Sequence, residues 1–599
     1  MLFPTIRFAM FFAVVMPASW LLMPLPGRRS RAAALDDHGQ PWLIPSALVV
    51  AAALLGPLAP SAGWPTALKV ILWLAALGLA GLGVVRWFDL QGLTRWNVFI
   101  LFASYVFYGN YNWHFVALLA GSTVVNQVLA SAIHRQDDEQ RRRLWLIAAV
   151  VLNLGVLGWF KYKGFFTESA SSLFDHFGVH IEPPARAIIP PVGISFFTFQ
   201  ALSYVIDTYR RKLEPVPLLE FAVYLSFFPH LVAGPIVRAS EFLPQLRIPR
   251  DARKLDSGLA FWLIAVGLFK KVVVSSYLAS ASVDPVFRIP QNHQALDTLL
   301  GIYGYAIQIY CDFSGYTDMA IGLALLIGFR FPQNFDAPYT SASLQEFWRR
   351  WHMTLSRWLR DYLYIPLGGN QRGPNRALLN LFLTMLIGGL WHGAAWTFIV
   401  WGALHGGWLA GERWLKDRPR PAAADDGGEA GAPQRPVGAS ARARARARLM
   451  WADDGELDLD ATDVVPAATD GFEPAPARRA RPTLDSLSPT TRLWLGRLVT
   501  FHVVCLGWVF FRAPTLTEAF AVLKRLTHLG TGSGINLVVL ATIVVFLASQ
   551  FVPSESVGKA QAAFSRLPVW GQGGILAVWL AFTSALAPSG VLPFIYFAF

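Results

Sequence analysis

The chain has 599 residues, a hydrophobic fraction of 54% and a charged fraction of only 15%. Soluble domains carry roughly 25% charged residues, so this composition excludes an ordinary soluble protein and predicts an integral membrane protein. The formal net charge of +13 does not indicate nucleic-acid binding, because the basic residues lie mainly in short segments beside apolar runs.

Apolar segments of about the length of a membrane-crossing helix recur along most of the chain. Backbone in lipid must satisfy its hydrogen bonds internally, so we predict an all-α, polytopic bundle with about 11–14 spans. The candidate spans are 6–24, 43–60, 66–87, 96–110, 113–133, 143–161, 187–206, 217–234, 257–280, 297–328, 377–392, 394–414, 492–511, 535–553 and 569–597. The loops that begin at Arg28, Arg86 and Arg135 contain several arginines. They lie on the same side of the membrane if each segment between them crosses once. The positive-inside rule makes that side cytoplasmic and places the N-terminus outside.

The sequence lacks the motifs of several common catalytic and metal sites. The two cysteines, Cys311 and Cys505, lie in apolar stretches and supply neither a disulfide framework nor a zinc site. The sequence contains no GxSxG elbow, HExxH zinc motif or phosphate-binding P-loop. We therefore expect no metal and no permanently bound cofactor.

Residues 416–491 differ from the rest of the chain. They are rich in Ala, Pro, Asp and Arg, and a basic block around Arg442 precedes an acidic block around Asp453. With few apolar residues to bury, this stretch is predicted to be a disordered linker between two membrane parts. A regulatory or partner-binding role is the alternative.

The densest polar stretch outside the linker runs from residue 312 to residue 375. A helical spacing predicts one aromatic-rich face, formed by Trp348, Trp351, His352, Leu355 and Trp358. Positive charge surrounds it at Arg349, Arg350, Arg357 and Arg360. One interpretation is an anchor helix at the membrane interface. The other is a cationic site for an anionic group, such as the phosphates of coenzyme A.

Three histidines lie within apolar stretches. His392, in GGLWHGAAW (388–396), has no neighbouring carboxylate in sequence, and it is either a general base or a histidine satisfied inside the bundle. His405 follows thirteen residues later, about 220° around an ideal helix, so we expect it to be structural. His230 lies beside two prolines and a glycine, which predict a broken or re-entrant helix.

Six segments together resemble one family: PVGISFFTFQALSYVIDTYR (191–210), FFPHLVAGPIVR (227–238), IQIYCDFSGYTDMAIG (307–322), FPQNFDAPY (331–339), FWRRWHMTLSRWLRDYLYIPLGGN (347–370) and LWHGAAW (390–396). A weaker echo is WVFFRA (508–513). They resemble the membrane-bound O-acyltransferases, especially the bacterial branch typified by the alginate O-acetylation membrane protein. The resemblance implies helices around a central funnel or tunnel, with acyl-coenzyme A entering from the cytoplasmic side and the acceptor from the other side.

The resemblance also assigns residues. His392 matches the catalytic histidine of the family, and His352 matches its second polar residue near the tunnel. We expect His392 to accept a proton from the attacking hydroxyl while coenzyme A leaves as the thiol. We expect His352 to orient the substrate or to polarise the carbonyl. The substrate-binding candidates are Arg349, Arg350, Asp312, Asp318, Gln345 and Glu346.

The expected reaction moves acetyl from acetyl-coenzyme A to a hydroxyl of an extracytoplasmic polysaccharide, or to a periplasmic partner protein that acetylates it. The expected location is the bacterial inner membrane, with lipids as neighbours and without nucleic acid. Two alternatives are a transporter or flippase for a polysaccharide precursor, and a non-catalytic scaffold. Labelled acetyl-coenzyme A separates them, because only the enzyme releases free thiol in step with acylation.

The resemblance divides the chain into four parts. Residues 1–95 hold the N-terminal spans with an extra apolar insertion, 96–415 form the acyltransferase core, 416–491 are the linker, and 492–599 are C-terminal membrane helices. The insertion at 31–95 and the length of the linker depart from the pattern of the family. Neither departure touches the motifs, although both make span counts borrowed from the family unsafe.

Overall fold

The computed structural model describes residues 3–23, 92–180, 190–248, 250–251, 254–417, 488–528, 530 and 536–587. Every regular element in these ranges is helical, which confirms the all-α prediction. The candidate spans at 43–60 and 66–87 lie outside the described residues, as does nearly all of the predicted linker.

Nineteen helices of seven or more residues carry the fold of the described chain. In chain order they are α1 (Ile6–Leu22), α2 (Gly92–Gly109), α3 (His114–Arg135), α4 (Glu139–Leu157), α5 (Lys163–His176), α6 (Ile194–Tyr209), α7 (Leu218–Ser226), α8 (Ala239–Leu246), α9 (Ser257–Phe269), α10 (Ala295–Ile327), α11 (Leu344–Arg350), α12 (Met353–Leu359), α13 (Pro374–His392), α14 (Trp396–Asp417), α15 (Pro489–Arg512), α16 (Leu516–Arg525), α17 (Leu537–Ser549), α18 (Ser554–Ser565) and α19 (Val569–Leu586). A single π-helical turn, Gly158–Tyr162, joins α4 to α5. A break after α7, followed by a short helix at Phe228–Leu231, confirms the interruption predicted around His230.

Several of these helices are long and apolar enough to cross a membrane. Within the described chain they are the stretches His114–Arg135, Glu139–His176, Ser257–Arg288 and Pro489–Arg512, with a fifth span if α17 and α18, bent by 94°, count together. Apolar side chains on these helices are exposed on the outside of the bundle, where lipid would cover them. The protein is therefore a membrane protein, while the number of 11–14 spans, the sidedness and the central funnel stay predictions.

The helix α10 is the centre of the bundle. Most of its residues, 26 of 33, are buried, and it packs against α1, α9, α15 and α17. Its contact with α9 is close, because a Cβ on Gly267 would lie 2.5 Å from the Gly315 carbonyl oxygen. Small residues bring membrane helices together in this way, by letting one backbone approach the other.

A pair of asparagines joins α3 to α4 inside the apolar region. The Asn126 side chain donates to Asn153 Oδ1 over 3.2 Å, and the Asn153 side chain donates back to Asn126 Oδ1 over 2.7 Å. Both residues are buried. A reciprocal amide pair in an apolar setting fixes the register of two helices, because a shift by one turn would leave both amides without partners.

An antiparallel hairpin of α13 and α14 carries His392 and His405. On α14, Gly402 and Gly406 face the α13 backbone: a Cβ on Gly402 would lie 2.6 Å from the Met385 carbonyl oxygen. A Cβ on Gly406 would lie 2.9 Å from the carbonyl oxygen of Phe382. The four-residue spacing of these glycines on one helix face therefore sets how close the two histidine-bearing helices come.

Replacing Gly402 with valine should separate the hairpin and lower the midpoint of thermal unfolding in detergent. Overpacking typically costs about 1–3 kcal/mol, and here the obstacle is backbone that cannot rotate away. The matched control is Gly407→Val on the same helix, where the added Cβ meets no atom within 4 Å. Equal destabilisation in both variants would show that valine in α14, rather than the close approach, is responsible.

Candidate active site

His392 is the last residue of α13, and the extended backbone of Gly393 (φ −158°, ψ 153°) ends the helix there. The imidazole is buried, with 2% of the residue exposed. Aromatic rings surround it, with centroids 5.0 Å away at Trp391, 5.1 Å at Trp401 and 5.3 Å at Phe511. The His392 imidazole at the end of α13 is therefore enclosed by these three aromatic rings, which we call the aromatic cage.

Two side chains from the turn between α4 and α5 hold the end of α13. The Tyr162 hydroxyl donates to the Leu390 carbonyl over 2.8 Å. Lys161 Nζ donates to the carbonyls of Trp391 and His392 over 2.7 and 2.9 Å. The last carbonyls of a helix lack intrahelical partners. A neighbouring helix supplies those partners here, so the position of His392 depends on Lys161 and Tyr162.

Lys161 is a residue that the sequence analysis missed. It lies in the π-helical turn Gly158–Tyr162, and no ion pair joins it to any carboxylate in the described ranges. Its third contact is Ser195 Oγ at 3.5 Å. Single π turns are frequent at functional sites. The signal was present in the sequence, because an ionisable residue inside an apolar span is a functional candidate by default.

The predicted continuous helix through Trp348 and Trp358 is wrong. The chain turns at Trp351 and His352, which separate α11 from α12. The predicted interfacial anchor is also wrong, because the tryptophans at 348, 351 and 358 are 4%, 1% and 6% exposed. Left-handed backbone at His352 (φ 43°, ψ 53°) makes this turn. A non-glycine residue in that region is strained and marks a candidate functional position.

The structure brings His352 and His392 together. Their ring centroids are 6.5 Å apart, and both imidazoles are buried. This separation is too long for a direct hydrogen bond between the rings. Phe313 closes one side of His352, with its ring centroid 4.7 Å from the imidazole. The structure thus places the two motif histidines near each other in the interior, and a catalytic role for either stays a prediction.

His405 belongs to a different helix from His392, so the 220° argument, which assumed one continuous helix, is wrong. Its Nδ1 accepts a hydrogen bond from the Trp348 indole over 3.1 Å, and its ring lies 4.7 Å from Trp401. The contact joins α14 to α11. These contacts support the expected structural role of His405, which is to hold the aromatic cage around His392.

Two predicted substrate-binding carboxylates face lysines of the π-helical segment Lys270–Ser275, which directly follows α9. Asp318 pairs with Lys270 at 2.8 Å, and Asp312 pairs with Lys271 and accepts from Ser275 Oγ at 3.3 Å. A buried carboxylate needs such a partner, because an isolated charge in an apolar interior is costly. The contacts give both carboxylates a structural use; a role in substrate binding stays a prediction.

The other candidates lie on α11. Arg350 pairs with Asp336 and Glu346, each at 3.1 Å, and the Gln345 side chain accepts from Lys416 over 3.2 Å. Arg349, next in the helix, is exposed. In the part of the chain that the structure describes, none of these side-chain contacts joins the α11 residues to the histidine pair. A role of these residues in substrate binding stays a prediction.

An ion-pair network includes Arg357 of α12 and Arg360, which directly follows α12. Arg357 lies 3.2 Å from Glu241, and Asp361 lies 2.6 Å from Arg360 and 2.7 Å from Arg238. Burial raises the pKa of the Asp361 carboxyl, but Arg360 and Arg238 outweigh that effect and hold the pKa below its usual value. Three arginines thus face two carboxylates. Each of these arginines has a carboxylate partner, so the alternative of an anion-binding site stays a prediction.

Residues 100–424 match the membrane-bound O-acyltransferase family, and the chain belongs to that family. It is 46% identical over 330 residues to the alginate O-acetylase AlgI of Pseudomonas aeruginosa, covering 54% of this chain and 62% of that protein. It is 38% identical over 355 residues to the peptidoglycan O-acetyltransferase of Helicobacter pylori, covering 54% and 66%. The teichoic acid D-alanyltransferase of Streptococcus thermophilus is 30% identical over 256 residues, covering 40% and 62%. The chain thus spans less than two thirds of the length of these relatives.

Proposed function

We propose that this chain transfers an acetyl group from acetyl-coenzyme A to a hydroxyl of an extracytoplasmic polysaccharide, or to a periplasmic partner protein that passes it to that polysaccharide. Membership of the family supports acyl transfer, and relatives named for alginate and peptidoglycan support a polysaccharide destination. The proposed location is the bacterial inner membrane. Acetyl-coenzyme A enters from the cytoplasmic side, with its phosphates near the network of Arg238, Arg357 and Arg360.

The observation that carries the proposal is the buried pair of His352 and His392, 6.5 Å apart between ring centroids. Acyl transfer to a hydroxyl requires two catalytic groups close to the reacting atoms. One group takes the proton of the nucleophile, and another donates a hydrogen bond to the carbonyl oxygen as negative charge develops there. Two neutral imidazoles on opposite sides of one position can divide these tasks between them.

The proposed step conserves atoms and charge. The hydroxyl oxygen attacks the thioester carbonyl carbon while its proton moves to an imidazole nitrogen. The tetrahedral intermediate then collapses, the carbon–sulfur bond breaks, and the departing thiolate takes the proton from the imidazolium. The products are the acetyl ester and free coenzyme A. Exclusion of water by the aromatic cage favours transfer to the acceptor over hydrolysis.

The experiment uses the full chain purified in detergent, acetyl-coenzyme A labelled in the acetyl group, and alginate oligosaccharide as the hydroxyl acceptor. We expect one free thiol for each labelled acetyl group that appears on the oligosaccharide. A transporter, flippase or scaffold would release no thiol under these conditions. If free thiol appears without labelled carbohydrate, acetyl-coenzyme A stays the proposed donor, but the oligosaccharide is not the direct acceptor.

A further inference from the structure

Arg250 lies where the ends of three helices meet. Its Cζ atom is 4.0 Å from the centroid of the Trp96 ring, in the first turns of α2, and 4.1 Å from that of Phe329, just after α10. Its Nη2 lies 3.6 Å from Met23 Sδ, just after α1. A Cβ on Gly328 would lie 2.7 Å from Arg250 Cδ, so the stem of the side chain packs against the end of α10. Apolar and aromatic groups of three helix ends therefore surround this guanidinium.

The Arg250 guanidinium lacks the partner that a buried charge needs. Its Nε and Nη1 atoms are buried without a hydrogen-bond partner in the described chain, and the thioether that Nη2 contacts is a weak acceptor. Burial lowers the pKa of Arg250 to about 9, so the group stays charged at neutral pH. Arg238 and Arg360, which are also largely buried, both pair with Asp361. An unpaired buried charge is costly, so Arg250 calls for an anion from outside the protein.

The two aromatic rings form a corner around the guanidinium. Their centroids are 5.6 Å apart, which is too close for the rings to lie on opposite faces of Arg250. Trp96 Nε1 is also buried and has no hydrogen-bond partner among the described residues. The corner thus combines a cation with a second N–H donor. Such a pair suits a ligand that carries negative charge on several acceptor oxygens, as a phosphate group does.

The position of Arg250 favours a phosphate that belongs to the membrane. Arg250 lies shortly before the span Ser257–Arg288, and its contacts are with the ends of α1, α2 and α10. Ends of membrane helices lie near the boundary between hydrocarbon and water, where lipid head groups are. Arg250 as a residue is only partly buried, so the corner is open to the outside of the bundle. Basic pockets between transmembrane helices bind the head groups of anionic lipids.

We propose that Arg250, together with the indole N–H of Trp96, binds the phosphate of an anionic phospholipid head group at the junction of α1, α2 and α10. The phosphate neutralises the guanidinium and accepts its N–H groups, while the two rings stay in contact with it. None of the contacts of Arg250 involves His352 or His392, so the inference does not depend on acyl transfer. Anionic lipid should therefore stabilise the protein, because a ligand of the folded state raises the temperature of unfolding.

The test compares the full chain in mixed micelles that contain either phosphatidylglycerol, which is anionic, or phosphatidylcholine, which is zwitterionic. We expect phosphatidylglycerol to raise the thermal midpoint of the wild type by about 5 °C relative to phosphatidylcholine. Arg250→Gln should abolish this difference without lowering the midpoint in phosphatidylcholine, because it removes a charge that has no partner. Trp96→Phe keeps the ring and removes the N–H, so the difference should shrink.

Arg330→Gln is the matched control, because it removes an equal charge from an exposed side chain directly after Phe329. It should keep the difference between the two lipids. The inference is overturned if Arg250→Gln also keeps that difference, or if Arg330→Gln loses it to the same extent. A midpoint raised equally by inorganic phosphate or coenzyme A without phosphatidylglycerol, in the wild type but not in Arg250→Gln, would refute the lipid as ligand. If Arg250→Gln does not fold, an unchanged lipid dependence of Trp96→Phe would overturn the inference instead.

Discussion

Replacing His392 with alanine should reduce acetyl transfer by about 10²–10⁴-fold while leaving the folded protein in the membrane. Loss of a proton acceptor or of a hydrogen bond to the carbonyl oxygen each costs a reaction about that much. Alanine adds no bulk, and the contacts of Lys161 with α13 involve backbone carbonyls that remain. The measurement is label transfer to oligosaccharide in membranes that contain equal amounts of each variant.

His405→Ala is the comparison for that experiment, because it removes a second buried imidazole that touches the same aromatic cage. We expect a milder loss of transfer, accompanied by a lower midpoint of thermal unfolding, since the Trp348 indole loses its acceptor. Near-normal transfer by His392→Ala would refute the acyl-transfer mechanism. A loss of folded protein matching the loss of transfer would mark His392 as structural.

Replacing Lys161 with methionine should lower kcat by about 10²-fold with little change in KM. Methionine nearly matches the lysine stem in length, but it cannot donate to the carbonyls of Trp391 and His392. The end of α13 can then move, and a displacement of about 1 Å in a reacting group is enough for a loss of this size. Each buried carbonyl left without a donor also costs about 1–3 kcal/mol, so the thermal midpoint should fall as well.

Lys163→Met is the matched control, since Lys163 is two residues away and stacks over Trp159 at 4.0 Å instead of contacting α13. It should leave kcat unchanged. If Lys161→Met lowers the thermal midpoint but leaves kcat per folded molecule intact, Lys161 stabilises the bundle without positioning His392. A rise in KM with normal kcat would place Lys161 in substrate binding instead.

The sequence predicted features that depend on local composition. The apolar run at 297–328 predicted α10, which spans Ala295–Ile327. The prolines and glycine around His230 predicted the break after α7. The motifs containing His352 and His392 identified the two histidines that the fold brings together. These predictions succeeded because helix formation in an apolar segment and interruption by proline are decided by neighbouring residues.

Other parts of the site depend on contacts between distant segments and could not be predicted from local spacing. Helical periodicity predicted one helix through His352, whereas backbone N–H groups that donate to Asn334 stabilise a left-handed turn there. Lys161 meets α13 across 231 residues. The substrate-binding expectation for Glu346 and Arg350 rested on charge alone, and these two side chains pair with each other. Charge in a sequence reveals a need for a partner, but the fold decides which partner satisfies it.

The contact between Lys161 and the end of α13 also constrains the biogenesis of the protein. Membrane segments emerge from the ribosome in order, and Lys161 is made 231 residues before the carbonyl of His392 that it binds. At about 5–20 residues per second, the delay is roughly ten to fifty seconds. During that time an amine inside an apolar segment has no partner from α13, and an unpaired lysine within a membrane segment is unfavourable. The helices made first must therefore keep this amine away from lipid until the hairpin of α13 and α14 has been inserted. Chains truncated before residue 391 should be recognised by membrane quality control.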